Sequence, residues 1–581
     1  MGYIFKYLKR YPAELSAVMI ATAVTCAAIL GMPTMLAKLI DNAIVVNQMD
    51  RAWPYVWGMV LCTALGFIAR SVRMYMASKV VNDMTMAMRN DVYHKMMALS
   101  HHEFQEFGVP SLTNRITNDA FVLLQFVEMI LKQGLMGPVM ILFSVIMIIR
   151  MQPYLGLRLI PAVLVIITFV VIISIFSKPL SEKQQIYLDK INRILRESIT
   201  GLRVIRAFNR EDFQNQRFMA VNEEYRRTAS KLFKLMASAP TLFYLTTNLA
   251  LVFIIWIGAH LIDAGSLQVG TLSAFIEYMF EGLFSLVVFA WVFMMYPRAS
   301  VSANRLKSVL EAPITVRELS DDEIVDPDQI KERGTLEFIN VDFAYPDADE
   351  PVLRDISFKS EPGQTVAFIG STGSGKSTIV KLIPRFYDVT RGQILVDGVD
   401  IRHYRLADLR SKIGFTPQSA LLFKGNIADN LRYGKHDADE TDMEHATQIS
   451  QAQEFVEKLD QGYQAELTEK ASNLSGGQKQ RLSIARSIIK DREIYIFDDS
   501  FSALDYKTDA QVRAALKQET KDATTIIVAQ RVGTIMHADQ IIVLDQGRID
   551  AIGTHKELLK KSKIYYNIAS SQLSEEELTH G

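Results

Sequence analysis

Apolar and polar residues divide this 581-residue chain near position 300. Before that point lie six long, mainly apolar stretches, at 15–37, 55–76, 130–149, 157–176, 240–262 and 271–296. About 20 helical residues cross the hydrocarbon core of a bilayer, so each stretch predicts a transmembrane helix. The links at 150–156 and 263–270 are short, whereas 77–129 and 177–239 are long and polar. Few prolines or glycines interrupt 77–104, 177–200 or 211–238. Those segments therefore read as helices that continue the spans as rods, reaching roughly 30 Å beyond the bilayer. Breaks at 107–119, with Gly108 and Pro110, and at 200–212, with Gly201, are the expected contact points with a soluble domain. Basic residues such as Arg89, Lys95, Arg115, Lys183, Arg193 and Arg203 concentrate in the long segments, and Lys6, Lys9 and Arg10 join them on the same side. The positive-inside rule makes that side cytoplasmic.

Beyond 297 the apolar period fades into a polar, acidic linker, and from 334 short strand-like runs begin. The alternation of 336–345 predicts a strand that ends at Tyr345, whose ring could stack on a base. The apolar run 366–369 leads into Gly370, Ser371, Thr372, Gly373, Ser374, Gly375, Lys376 and Ser377, then Thr378 and a helix-compatible stretch to Phe386. A strand, a glycine-rich loop and a helix start in that order make a phosphate-binding loop, in which inward N–H groups and the helix dipole hold anionic oxygen. Lys376 would reach the β- and γ-phosphates of a nucleoside triphosphate, and the Ser377 hydroxyl would ligate Mg²⁺.

Three further sites follow. The strand-like 410–418 ends at Gln418, a group able to bind a metal or water. The apolar 494–497 ends in Asp498, suited to holding Mg²⁺ through water, and Asp499, placed to polarise an attacking water. The run 526–529 ends at Gln530. Separately, Leu474, Ser475, Gly476, Gly477 and Gln478 open a second helical run to Ile489, a second anion-ready helix start. One chain cannot easily close both starts on one nucleotide, so two facing domains are expected, each lending its second loop to the other.

The net charge of −1 argues against a nucleic-acid partner, and the only cysteines, Cys26 and Cys62, exclude a disulfide scaffold. The N-terminal 3–10 is a short basic amphipathic segment, followed by an apolar run too long for the core of a signal peptide. Glu277 and Glu281 lie four apart in the last span, on one helix face. Ionisable groups inside a span point to function. The pair is expected either to attract a cationic solute in a water-filled path or to pair with a neighbouring helix.

The motif order resembles the ATP-binding cassette (ABC) exporters over nearly the whole chain, and L-S-G-G-Q at 474–478 is that family's signature, unaltered. The resemblance implies an α-helical membrane domain of six spans joined to an α/β P-loop nucleotide-binding domain. Its divisions would be an elbow helix at 1–12, the membrane domain with two coupling helices at 13–300, a linker at 301–333, the nucleotide-binding domain at 334–572 and a polar tail at 573–581. The family assigns adenine stacking to Tyr345, Mg²⁺ ligation to Gln418, the Walker B carboxylate to Asp498, and a loop crossing the dimer interface to Asp505. Glu469 and Lys470 would touch the intracellular helices.

Two positions depart from the family. Asp499 stands where it has glutamate, and Gln530 where it has histidine. Aspartate is one methylene shorter, and glutamine cannot become a cation. This pattern is similar to heterodimeric exporters: ATP would bind at this chain's loop and be hydrolysed poorly, while Ser475 and Gly477 would complete a second half-transporter's site. The implied setting is a bacterial plasma membrane with the nucleotide domain in the cytoplasm and a drug or other amphiphile as cargo. A slow homodimer, a lipid or peptide exporter and an ATP-gated channel are the alternatives.

Overall fold

A computed structural model describes residues 2–320, 322–326 and 330–574. The first residue of the expected elbow, residues 321 and 327–329 of the linker, and 575–581 of the tail lie outside the described residues. The chain forms two compact units: Met1–Met97 with Gly108–Ala312, and Ala98–Phe107 with Pro313–Gly581.

In the first unit, six helices among the described residues are long and apolar enough to cross a membrane: Pro12–Ile44, Met49–Ala98, Val109–Met151, Pro153–Thr200, Glu211–Asp263 and Val269–Leu310. The second, fourth and fifth have 50, 48 and 53 residues. At 1.5 Å per residue they run about 70–80 Å, more than twice the hydrocarbon thickness. The fourth and fifth pack along each other, and the last packs on the first and third. Tyr278 of the last helix is fully buried, and its hydroxyl donates to Leu30 O at 3.2 Å. A separate helix, Gly2–Leu8, is tied down by Tyr7, whose hydroxyl donates to Asp91 Oδ2 at 2.7 Å.

The last span has no capping side chain of its own. Its first amides are capped from the end of the first span instead. Asp41 accepts from Gly270 N at 2.6 Å, Thr271 N at 2.9 Å and the Thr271 hydroxyl at 3.1 Å. The backbone approach requires glycine, because a Cβ on Gly270 would stand 2.3 Å from Ala37 O. Asp41→Ala strands these amides beside apolar helices, where a lost N-cap costs about 1–2 kcal/mol. Thermal unfolding of the solubilised protein is expected to show a midpoint lowered by about 2–5 °C, with nucleotide binding unchanged.

The second unit is an α/β domain. Its strands are β1 (Leu336–Phe343), β2 (Leu353–Ser360), β3 (Thr365–Gly370), β4 (Arg391–Val396), β5 (Val399–Asp400), β6 (Ile413–Thr416), β7 (Gly425–Asn426), β8 (Glu466–Leu467), β9 (Ile494–Asp498), β10 (Thr524–Val528), β11 (Gln540–Asp545) and β12 (Arg548–Gly553). A six-stranded sheet has the order β12-β11-β3-β10-β9-β6 and is parallel except for β12. Every residue of β9 and β10 is buried, as expected for strands covered on both faces. A second, antiparallel sheet has the order β2-β1-β4-β5. Parallel β3, β9 and β10 end side by side, so the segments after them gather at one sheet edge.

Several expected boundaries shift. The helix after the glycine-rich loop runs only Lys376–Leu382, short of Phe386: Pro384 has no N–H to continue the ladder, and Arg385 leaves it at a φ of +51°. Arg410 belongs to the helix Leu406–Ser411, and the strand before Gln418 is only Ile413–Thr416. Residues 98–107, just before the first break between rods, fold with the α/β unit. The short helix His101–Phe107 stacks His101 on Phe386 at 5.7 Å and sets it edge-on to Tyr387 at 5.6 Å. Thr315 N donates to Glu103 Oε1 at 3.2 Å, and Val316 N to the Ser100 hydroxyl at 3.0 Å. By contrast, Arg115 and Asp119 bond within the membrane unit, to Ser308 at 2.7 Å and Ser302 at 2.7 Å. At the second break, the helix Leu202–Ala207 leaves Leu202, Val204 and Phe208 exposed.

Candidate nucleotide site

The glycine-rich loop leaves β3 at Gly370 and enters the helix at Lys376. Its glycines are structural requirements. A Cβ on Gly370 would lie 2.2 Å from Leu544 O, and one on Gly375 would lie 2.5 Å from Leu353 Cδ2, at a φ of +101°. Lys376 folds over the loop, and its Nζ donates to Gly370 O and Ser371 O at 2.8 Å each. Burial lowers its pKa, opposed by Asp499 and Asp498. At Gly373 a Cβ would meet nothing within 4 Å, so the loop is open there. Behind it, the Tyr345 hydroxyl lies 3.1 Å from Thr378 Oγ1, and its ring packs edge-on against Phe343 and Tyr387.

Two carboxylates stand at the end of β9. Asp498 Oδ1 accepts from the Ser377 hydroxyl at 3.0 Å, so two of the expected metal-binding groups are adjacent. Asp499 leaves the strand in the left-handed region, at a φ of +47°, anchored by its N–H to Val528 O at 2.9 Å. Burial raises the pKa of both. Gln418 Nε2 donates to Asp499 Oδ2 at 3.3 Å, and Gln530 Nε2 donates to the same oxygen at 3.0 Å. Both glutamines thus point at one carboxylate oxygen. Gln572, absent from the sequence reading, fixes the turn after Gln530: its Nε2 donates to Gln530 O at 2.9 Å and its Oε1 accepts from Val532 N at 2.8 Å. A lone glutamine in the C-terminal segment carries no motif that would have marked it.

Ser475 caps the helix Gly476–Ile488 in a reciprocal box with Gln478, whose side chain accepts from Ser475 N at 2.8 Å. Leu474 N donates back to Ala471 O. Beside this turn, a Cβ on Gly477 would lie 3.2 Å from Ala503 O, so the signature segment abuts the loop that leads to Asp505. Asp505 caps the helix Tyr506–Glu519, accepting from Thr508 N at 3.0 Å, and that backbone bond lowers its pKa. Glu469 and Lys470 are exposed on the one-turn segment Glu469–Ala471, which buries Ala471. Among the described hydrogen bonds none joins 474–478 to 370–377.

The acidic pair of the last span separates. Glu281 lines a cavity of about 690 Å³ between the membrane helices, whereas Glu277 is exposed and does not. The cavity also carries Arg70, Arg73 and Lys132, so it is not the acidic pocket expected for a cation. Arg70 and Arg73 went unremarked in the sequence, although the rule that singled out the glutamates applies equally to them.

A parallel sheet with a glycine-rich phosphate loop, set in a chain with six membrane-spanning helices, defines a nucleotide-driven membrane transporter. Residues 15–287 match the ABC transporter transmembrane region and 353–502 the ABC transporter family, and the chain belongs to that family. It is 36% identical over 577 residues, 98% of each chain, to an uncharacterized ABC transporter ATP-binding protein of Mycobacterium tuberculosis (strain CDC 1551 / Oshkosh). It is 33% identical over 512 residues, 86% of each, to a Staphylococcus aureus (strain bovine RF122 / ET3-1) protein provisionally named a multidrug export ATP-binding/permease protein. The structure of a bacterial Atm1-family ABC exporter with ATP bound superposes with a TM-score of 0.81 at 25% identity, over 97% of this chain and 98% of that one. The protein is thus an ABC exporter, a multi-pass membrane protein whose cytoplasmic domain binds ATP and couples its hydrolysis to outward transport.

Proposed function

We propose that this chain is one half of a heterodimeric exporter, that its own loop holds ATP with Mg²⁺ but hydrolyses it poorly, and that its signature segment completes the working site of a different half-transporter. The observation that carries this reading is the convergence of Gln418 and Gln530 on Asp499 Oδ2. A general base needs a free lone pair within reach of the attacking water. Here the carboxylate in that position is a methylene short, and its Oδ2 already accepts two amide hydrogen bonds, which leaves Oδ1 alone to take a proton from water. No imidazole stands at 530 to respond to the γ-phosphate.

The rest of the site fits binding. The loop 370–377 presents its N–H groups, Lys376 supplies the positive charge, and Tyr345 offers its ring to the base. Ser377 and Asp498 would hold the metal between them. Held there, a magnesium ion would offset the negative charge of the phosphates. The Ser475–Gln478 capping box leaves a well-formed helix start able to accept a γ-phosphate from across a dimer. Closure would reach the rods through His101, seated on Phe386 and Tyr387; Phe386 in turn contacts Phe415 at 5.7 Å, three residues before Gln418.

Asp499→Asn tests the reading. In the complex copurified with its partner subunit, ATP turnover is expected to stay within about twofold of wild type, because this carboxylate contributes little. A loss of tenfold or more, or full activity from the chain purified alone, would instead mean a homodimer with a working Asp499.

A further inference from the structure

The cavity that Glu281 lines is a cleft bounded by parts of the first, second, third and last spans. Its apolar wall includes Ile29, Met32, Phe67 and Phe284. Its charged groups are Arg70, Arg73, Lys132 and Glu281, three cations against one carboxylate. Lys132 is already taken, its Nζ lying 2.6 Å from Glu128 Oε1. Arg70 and Arg73 lie three apart on one helix face. Arg73 is only 3% exposed, and its Nε and Nη1 are buried with no hydrogen-bond partner. Neither it nor Glu281 enters any described ion pair.

An uncompensated guanidinium inside a membrane domain is costly, and such groups mark ligand pathways. Guanidinium presents a planar donor fork that matches carboxylate or phosphate oxygens. A single cavity thus combines a long apolar wall with an unsatisfied donor fork. We propose that it binds an anionic amphiphile, with the carboxylate or phosphate head on Arg73 and Arg70 and the apolar tail against Ile29, Met32, Phe67 and Phe284. This specifies the cargo class of the export activity. It rests on that activity and not on the pairing of unlike subunits.

The test uses the full-length protein, as the dimer in which it purifies, in phosphatidylcholine nanodiscs, with equilibrium binding of radiolabelled dodecyl phosphate as the readout. Dodecyltrimethylammonium is expected to compete at least about tenfold less well than unlabelled dodecyl phosphate or dodecanoate. Arg73→Gln is expected to weaken dodecyl phosphate binding about tenfold or more, and Arg73→Lys to restore part of it. Should Arg73→Gln fail to fold, Arg70→Gln provides the same reading with a smaller loss. Discs containing phosphatidylglycerol identify the source: competition by the lipid supports a headgroup cargo, and its absence a soluble amphiphile. Equal competition by the ammonium compound, or unchanged affinity in both arginine variants, would overturn the proposal. ATP turnover measured in parallel separates the two failures, because a preparation that binds the anion but lacks turnover faults the transport activity and not the cavity.

Discussion

Gly477→Asp is expected to cut the ATP turnover of the exporter complex by about 10²–10³-fold, the range seen when one preorganised donor to a developing oxyanion is lost. The substitution suits the helix and opposes the ligand. Residue 477 lies in the first turn of Gly476–Ile488, which contains no acidic residue. A carboxylate there interacts favourably with the helix dipole and so does not threaten the fold. Its Cβ would stand 3.2 Å from Ala503 O, a tight contact that a shift of a few tenths of an ångström relieves. The same carboxylate faces any phosphate brought to this helix start from a partner, and like charges in a closed interface repel strongly. The loop 370–377 is untouched, so ATP binding at this chain's own site should persist. Turnover of the copurified complex, nucleotide occupancy and the melting midpoint together check the result. Turnover within about threefold of wild type, with normal occupancy, would mean that this signature completes no working site.

The nucleotide loop was legible in the sequence because its parts are local. A buried strand, the glycines and the helix start lie within about a dozen residues, and each is required by geometry that only nearby atoms set. The two odd residues were legible as types, but their relation was not. Asp499 and Gln530 lie 31 apart and meet because β9 and β10 are parallel neighbours with Asp498 opposite Val528. That Gln418 joins them on the same oxygen follows from β6 flanking β9 on its other side. The contact made just before the first break was not visible in the sequence for a different reason. The sequence breaks visibly at Gly108 and Pro110, but the helix that docks on the α/β domain is the preceding His101–Phe107, whose composition reads as a continuation of the rod. Docking there is decided by Phe386 and Tyr387, far along the chain. The cavity was missed because a pocket's sign depends on which helices enclose it. Glu277 and Glu281 share a helix, yet only Glu281 faces the space that Arg70 and Arg73 enter from another span.

Restoring both departures, Asp499→Glu with Gln530→His, is expected to raise hydrolysis at this chain's own site by up to about 10²-fold. Glutamate carries the carboxylate about 1.5 Å further, and displacements of that size separate productive from unproductive geometry by about that factor. Histidine removes one of the two amide donors that now occupy Asp499 Oδ2 and puts an ionisable group in its place. Part of the gain is lost to the backbone. Residue 499 sits at a φ of +47°, where aspartate is tolerated better than glutamate, and the difference is within about 1 kcal/mol. Neither substitution alone should reach the full effect: the lone glutamate would still be held by Gln418 and Gln530, and the lone histidine would face a carboxylate too short to use it. If the chain pairs with a different half-transporter, as proposed, the measurement requires a complex in which that subunit's site has been disabled by mutation, so that any turnover comes from this chain's loop. The double variant should also acquire a pH dependence between about pH 6 and 8, from the imidazole, that the wild-type residual activity lacks. A double variant that gains nothing would place the deficit outside these two side chains, with the backbone at 499 as the next element to change.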